Sequence, residues 1–173
     1  SRNSRFIQKV KQYRPRLTKE ENKLISDFRN GSNVGIIGDT HLPFMIEGYR
    51  EFCYDVFNRF GCSEIVHIGD EVDNHALSYH ENSTEAFDAL REAEMAQEGM
   101  NEWYKIFHDV KVCVGNHSAL PFRKATSTGI PTRFLKTYEE IWEAPKGWKW
   151  ELQWEIDGVL YEHGTGSSGV SGA

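Results

Sequence analysis

Apolar side chains along the chain follow two rhythms. Short clusters, Val34, Ile36 and Ile37, then Ile65, Val66 and Ile68, then Val110, Val112 and Val114, are each closed at once by glycine, at Gly38, Gly69 and Gly115. Runs of that length stopped by glycine read as buried strands. Between them the spacing changes to three and four. Tyr49, Phe52, Cys53, Val56, Phe57 and Phe60 mark a helix ended by Gly61, and Ser83 to Phe107 carries Phe87, Leu90, Met95, Met100, Trp103 and Ile106 among Glu, Ala and Gln, the pattern of a long helix. Upstream, Thr18 with Glu21 forms a capping-box signal ahead of Leu24, Ile25 and Phe28, and Thr132 to Glu143 predicts a further helix stopped by Pro145 and Gly147.

Three strands separated by helical segments predict a βαβαβ core with a parallel sheet, because crossovers of that length suit helices and not hairpins. The fold class expected is α/β. Downstream, Trp148, Trp150, Leu152, Trp154 and Ile156 alternate with polar residues, Asp157-Gly158 supplies a turn, and Val159 to Glu162 returns, so a hairpin is expected to join the sheet. That alternation suits a sheet core better than a base-stacking platform for the three tryptophans. Gly164 to Ala173 has no packing pattern and reads as a flexible loop or end.

Composition narrows the class. With 173 residues and 39% hydrophobic content the chain has material for one core, and no apolar run approaches the roughly 20 residues that span a bilayer. No secretory leader is recognisable, and Cys53, Cys62 and Cys113 make neither a CxxC pair nor an even set, so a reducing cytoplasm is expected, with Cys113 as a buried thiol. The net charge of −6 conceals an asymmetry: residues 1–30 hold nine Lys/Arg against three Asp/Glu, and the remainder is strongly acidic. Residues 1–30 are therefore read as a basic helical leader, and residues 31–173 as the main domain. The leader is either a solvated helical face or a contact to phosphate backbones. The acidic body opposes broad polyanion binding unless cations supply local positive charge.

The chemistry lies where the strands end. Gly38-Asp39-Thr40-His41 follows the first, Gly69-Asp70-Glu71-Val72-Asp73 the second, Gly115-Asn116-His117 the third, and His163-Gly164 the returning strand of the hairpin. In open α/β sheets these carboxyl ends gather on one edge, where ligands bind. Asp and His supply hard oxygen and imidazole nitrogen, the mixture that Mn, Fe, Zn or Ni share, and no thiolate accompanies them. Asp39 and His41 are placed to reach one ion, Asp70 to bridge two, and Asn116 and His163 to hold the second. Each of these signals has a bland counterpart as a turn or a cap; their conjunction after successive strands favours a metal site.

In this order and on these elements, GD-x-H, GD-x-x-D and GNH resemble the calcineurin-like metallophosphoesterases over roughly residues 33–163. The stretches Asp73 to His80 and Ala119 to Ala125 resemble phage and bacterial members of that superfamily. The resemblance implies an α/β sandwich of sheets flanked by helices, with Asp39, His41, Asp70, Asn116 and His163 as ligands of two divalent ions, manganese first among Mn, Fe, Zn, Ni and Mg. It also implies that His117 protonates the leaving group while Asp73 orients its ring. The family's closing GH-x-H segment has no counterpart before Ala173, and Ser118 stands where an acidic residue is common after GNH. The domain is thus expected to be truncated at its C-terminus, its remaining ligands coming from a continuation or another chain.

The function expected is hydrolysis of a phosphomonoester or phosphodiester by a hydroxide activated between two metal ions. The rivals are a non-catalytic binding module on the same fold and a nuclease acting on DNA or RNA. Arg123 and His80 are weaker candidates for substrate contact, Tyr79 and His75 lie nearby in sequence, and His108 is expected on the opposite edge. The partners expected are a phosphoester, nucleic acid as a second candidate, no membrane, and an oligomer as an open alternative.

Overall fold

The computed structural model describes residues 18–20, 31–77 and 88–164. The chain divides into two units, Ser1–Gly31 and Ser32–Ala173, and the elements below belong to the second. The helix expected after Thr18, the start of the long helix at Ser83, and the glycine-serine end fall wholly or partly outside the described residues.

Four strands, β1 (Val34–Ile37), β2 (Glu64–His67), β3 (Val110–Cys113) and β4 (Trp148–Glu151), form one parallel sheet in the order β1-β2-β3-β4. The register sets Ile37 beside His67, His67 beside Val112, and Val112 beside Trp150. Helix α1 (Tyr49–Phe60) makes the first crossover and ends where Gly61 turns left-handed, its N–H closing onto the carbonyls of Phe57 and Asn58. Helix α2 (Ala89–Ile106) makes the second and starts on Asp88, whose carboxylate accepts the Arg91 N–H at 2.9 Å. Gly99, unfavourable in a helix interior, leaves the space that Leu42 fills.

Ile37, Val110, Val112, Trp148 and Trp150 meet Met100 and Trp103 of α2, and Phe107 that caps it, to make the core. The Trp148 indole donates to the Phe107 carbonyl at 2.8 Å, which resolves its one polar atom inside that core. Cys113 is buried on β3, and burial pushes its thiol up to about 11.

Three expectations change. The apolar run of β1 is not buried throughout: it is an edge strand, and Ile36 on its second face is 50% exposed. The tryptophan segment is not one long strand of a hairpin. It breaks at Leu152, 77% exposed; β4 joins β3 in parallel, and β5 (Gln153–Ile156) pairs antiparallel with β6 (Val159–Glu162) as a separate two-stranded sheet. The Trp154 indole donates to the Val112 carbonyl at 3.0 Å and fixes that hairpin to β3. The helix expected over Thr132 to Glu143 is two short turns, a 3-10 turn Thr132–Phe134 and α4 (Tyr138–Ile141), separated by extended Leu135. Between β3 and these turns lies α3 (Leu120–Ser127). No helix among the described residues is long and apolar enough to cross a membrane.

Candidate metal centre

Each strand exit carries its candidate residues onto the carboxyl edge of the sheet. Past β1 and β2 the pairing continues through the loops: the N–H groups of Thr40 and His41 donate to the Asp70 carbonyl at 3.1 and 2.9 Å, and Leu42 and Val72 form a parallel bridge. His41 and Asp70 take left-handed backbone angles, φ 45° and 50°, which L side chains adopt rarely and which are concentrated at functional turns. Two glycines are required by close approach. A Cβ on Gly69 would lie 2.5 Å from His163 Nδ1, and one on Gly115 would overlap the Asp70 carboxylate.

The side chains sort into two groups. In the first, one ligand atom each of Asp39, Asp70 and His163 lies within 4.8 Å of the others. His163 Nδ1–H donates to the Ile68 carbonyl at 2.8 Å, so the neutral ring carries its lone pair on Nε2. That nitrogen faces Asp70 Oδ2 at 3.2 Å and Asn116 Oδ1 at 2.9 Å. Three lone-pair atoms thus converge where no hydrogen of the neutral ring lies between them. A ring nitrogen pinned by a backbone carbonyl while its partner faces carboxylate oxygen is the arrangement of a metal-binding histidine. Asp70 is buried, and its second oxygen accepts the His117 N–H at 2.8 Å. Asp39 is half-exposed, its carboxylate 3.9 Å from His163 Nδ1. Oxygen and imidazole donors without thiolate fit a divalent cation of the Mn, Fe, Zn or Ni kind.

The second group is His41, Asp73 and His117, again within 4.8 Å. His41 Nδ1–H donates to Asp73 Oδ1 at 2.7 Å. His117 Nδ1–H donates to the Asp73 backbone carbonyl at 2.6 Å, with the Asp73 carboxylate at 3.3 Å. The two rings meet edge to face, centroids 4.7 Å apart. Asn74, also left-handed, donates its side-chain N–H to the His117 carbonyl at 3.0 Å.

The structure therefore gathers Asp39, Asp70, Asn116 and His163 in one group and His117 with Asp73 in the other. His41, expected beside Asp39, has its Nδ1 turned to Asp73. Arg123 lies exposed on α3 and joins neither group, and His80 and Tyr79 lie outside the described residues. His75 opens a 3-10 turn, His75–Leu77. His108 is on the opposite edge, lining a cavity of about 240 Å³ with Phe57, Phe107 and Asp109.

Several supporting residues were not anticipated. Glu92 of α2, buried, accepts the N–H groups of His75 and Ala76 at 2.6 and 2.7 Å and so fixes the loop that carries Asp73. Glu71 is buried between Ser118 and Trp150, and burial raises its carboxyl above the usual range. His67 is buried and accepts the Gly69 N–H on Nδ1; its Nε2–H donates to Thr40 Oγ1 at 3.1 Å, and Thr40 donates to the Glu71 carbonyl at 2.9 Å. Burial, and then the nearby His163 and His41, lower the His67 ring to about 3. A signal existed for Glu71: an acid inside the run Asp70 to Asp73 just past an apolar strand.

Compared with protein-family models, curated proteins and solved structures, the chain gave no match, which leaves the two groups of side chains on this sheet edge as the ground for reading its chemistry.

Proposed function

We propose that the chain is a metal-dependent phosphoesterase of the calcineurin-like type, acting on a phosphomonoester or phosphodiester with two divalent cations, manganese first among them. The observation that carries this reading is the convergence of His163 Nε2, Asp70 Oδ2 and Asn116 Oδ1, three lone-pair atoms drawn from three separate strand exits. Like-polarity atoms packed together at hydrogen-bond distance call for a positive charge among them.

Asp39, Asp70, Asn116 and His163 would hold the cations, and His41, its Nδ1–H taken by Asp73, keeps Nε2 as a further donor atom. When bound, such ions supply Lewis acidity toward phosphoryl oxygen and make water a stronger nucleophile near neutral pH. The remaining steps belong to the protein. Asp73 offers His117 Nδ1–H two oxygens, its carbonyl at 2.6 Å and its carboxylate at 3.3 Å, which hold the ring with Nε2 left for the substrate. His117 Nε2 is then the atom that gives a proton to the departing alkoxide. The His117 backbone, tied by its N–H to Asp70 and by its carbonyl to Asn74, keeps that ring beside the cation-holding carboxylate.

Manganese-dependent hydrolysis of p-nitrophenyl phosphate and of its bis ester tests the reading. Turnover that rises with Mn²⁺ and is abolished by a chelator is expected. Tight Mn²⁺ binding with no turnover of either ester would leave a cation-binding module, and no Mn²⁺ binding would refute the site.

A further inference from the structure

We infer that Glu71 is a positioning residue for the site: its buried carboxylate and its carbonyl fix where His117 and His41 stand relative to Asp70. This deepens the reading of His117 as the proton donor and rests on it.

The pattern of bonds is the argument. Glu71 is 1% exposed, and every polar atom of its side chain and its carbonyl is engaged. Oε2 accepts the Ser118 hydroxyl at 2.6 Å, and Ser118 is the residue after His117. The carbonyl accepts the Thr40 hydroxyl at 2.9 Å and the Leu42 N–H at 3.0 Å, from the two residues that flank His41. Oε1 accepts the Trp150 indole at 3.0 Å, from the strand beside β3. Glu71 itself follows Asp70. One residue therefore touches all four strands of the parallel sheet or their exits: at two of them its hydrogen bonds fall next to a candidate functional side chain, His41 and His117, and at a third it follows Asp70 in the chain.

Stability alone does not account for this choice. A carboxyl group is costly to bury, and an apolar side chain of that volume beside Trp150 would pack at lower cost. The carboxyl group does what an apolar group cannot: its two oxygens accept in two fixed directions, toward the β3 exit loop and β4. Ser118, fixed through its hydroxyl, in turn fixes the backbone of His117, whose N–H must reach Asp70 Oδ1 while its ring reaches Asp73.

The test uses Ser118→Ala, Ser118→Thr and Trp150→Phe, each removing or keeping a single donor to Glu71, and reads the ring nitrogens of His117 by long-range ¹H–¹⁵N spectra of the cation-free chain. In the parent, at a pH where the ring is neutral, the Asp73 carbonyl is expected to keep its proton on Nδ1. Ser118→Ala is expected to mix the two tautomers at His117 and leave His163, pinned by Ile68, unchanged; Ser118→Thr is expected to restore the parent spectrum. Mn²⁺-dependent kcat should fall about 10- to 100-fold in Ser118→Ala with KM little altered. Trp150→Phe gives the same readout from the other carboxylate oxygen if Ser118→Ala does not fold. A parent-like His117 spectrum in both Ser118→Ala and Trp150→Phe, with only a lower Tm, would reduce Glu71 to a core residue and overturn the inference. A shifted His117 spectrum in a chain without Mn²⁺-dependent turnover would instead sustain the positioning role and sink the phosphoesterase reading.

Discussion

The two His/Asp groups on the sheet edge are built from the same residue types, lie next to each other and share Asp70 through the His117 N–H, yet they are electrostatic opposites. Around His163 the ring proton points away, to Ile68, and the lone pair faces two oxygens. Around Asp73 both ring protons point inward, from His41 and from His117, and the carboxylate and carbonyl receive them. With its ring neutral, the His163 group is short of positive charge; the Asp73 group is satisfied by the ring protons of His41 and His117. Which atom of an imidazole carries the hydrogen, set by a backbone carbonyl several strands away, decides whether a cluster of His and Asp binds a cation or handles a proton.

The strongest way to break that distinction is at Asp70, the residue common to both. Asp70→Ala removes an oxygen facing His163 and the acceptor of the His117 N–H, so Mn²⁺ affinity by calorimetry should fall by at least about 100-fold and turnover should vanish with it. Retained affinity would mean that the His163 group is not where the cation sits.

His117→Ala sharpens the comparison from the other side. It leaves His163, Asp39 and Asn116 untouched, so Mn²⁺ affinity should stay within about twofold while turnover falls by about 10²- to 10⁴-fold, the range of a lost general acid. The loss should be smaller for p-nitrophenyl esters, whose leaving group needs little protonation, than for alkyl esters. Equal losses of affinity and turnover would make His117 a ligand and erase the difference between the groups.

Much of this edge could be read from the chain, and the parts that escaped did so for physical reasons. Asp39, Asp70 and Asn116 were legible because each follows a parallel strand that glycine ends, and parallel strands deliver their exits to one side; His163 was legible as the residue between the last hairpin strand and Gly164. The partner of His41 was not, since a ring's orientation depends on Asp73, 32 residues away. Glu71 and Glu92 were passed over because charge ordinarily marks the surface, and only three-dimensional packing shows that each has its donors waiting. The restart of the chain at α4 did have a signal: Thr137 and Glu140 form a capping box, the Thr137 side chain accepting the Glu140 N–H, inside what the apolar spacing alone presents as one continuous helix. The break at Leu152 had none, since strict alternation continues straight across it.

The mildest effect concerns the residue beneath both groups. His67 accepts from Gly69 and donates to Thr40, so it joins the loop of the His163 group to the loop of His41 only while it is neutral. Its ring titrates ordinarily at 6.5 and in the folded chain at about 3, lowered first by burial. The unfolded chain therefore binds a proton below 6.5 that the folded chain refuses until about 3, and the stability due to neutral His67 is complete above 6.5 and lost progressively as the pH falls through that window. The folding constant should drop by up to about tenfold per pH unit across it from this residue alone. Urea unfolding of the cation-free chain at several pH values, compared with His67→Gln, isolates the contribution, because the other titrating groups are common to both. The substituted chain should be less stable near neutrality, by about the worth of a buried hydrogen bond, and should lose stability less steeply in acid. Parallel curves for the two would show that His67 is charged in the fold, and with it that the two loops are joined by something other than this ring.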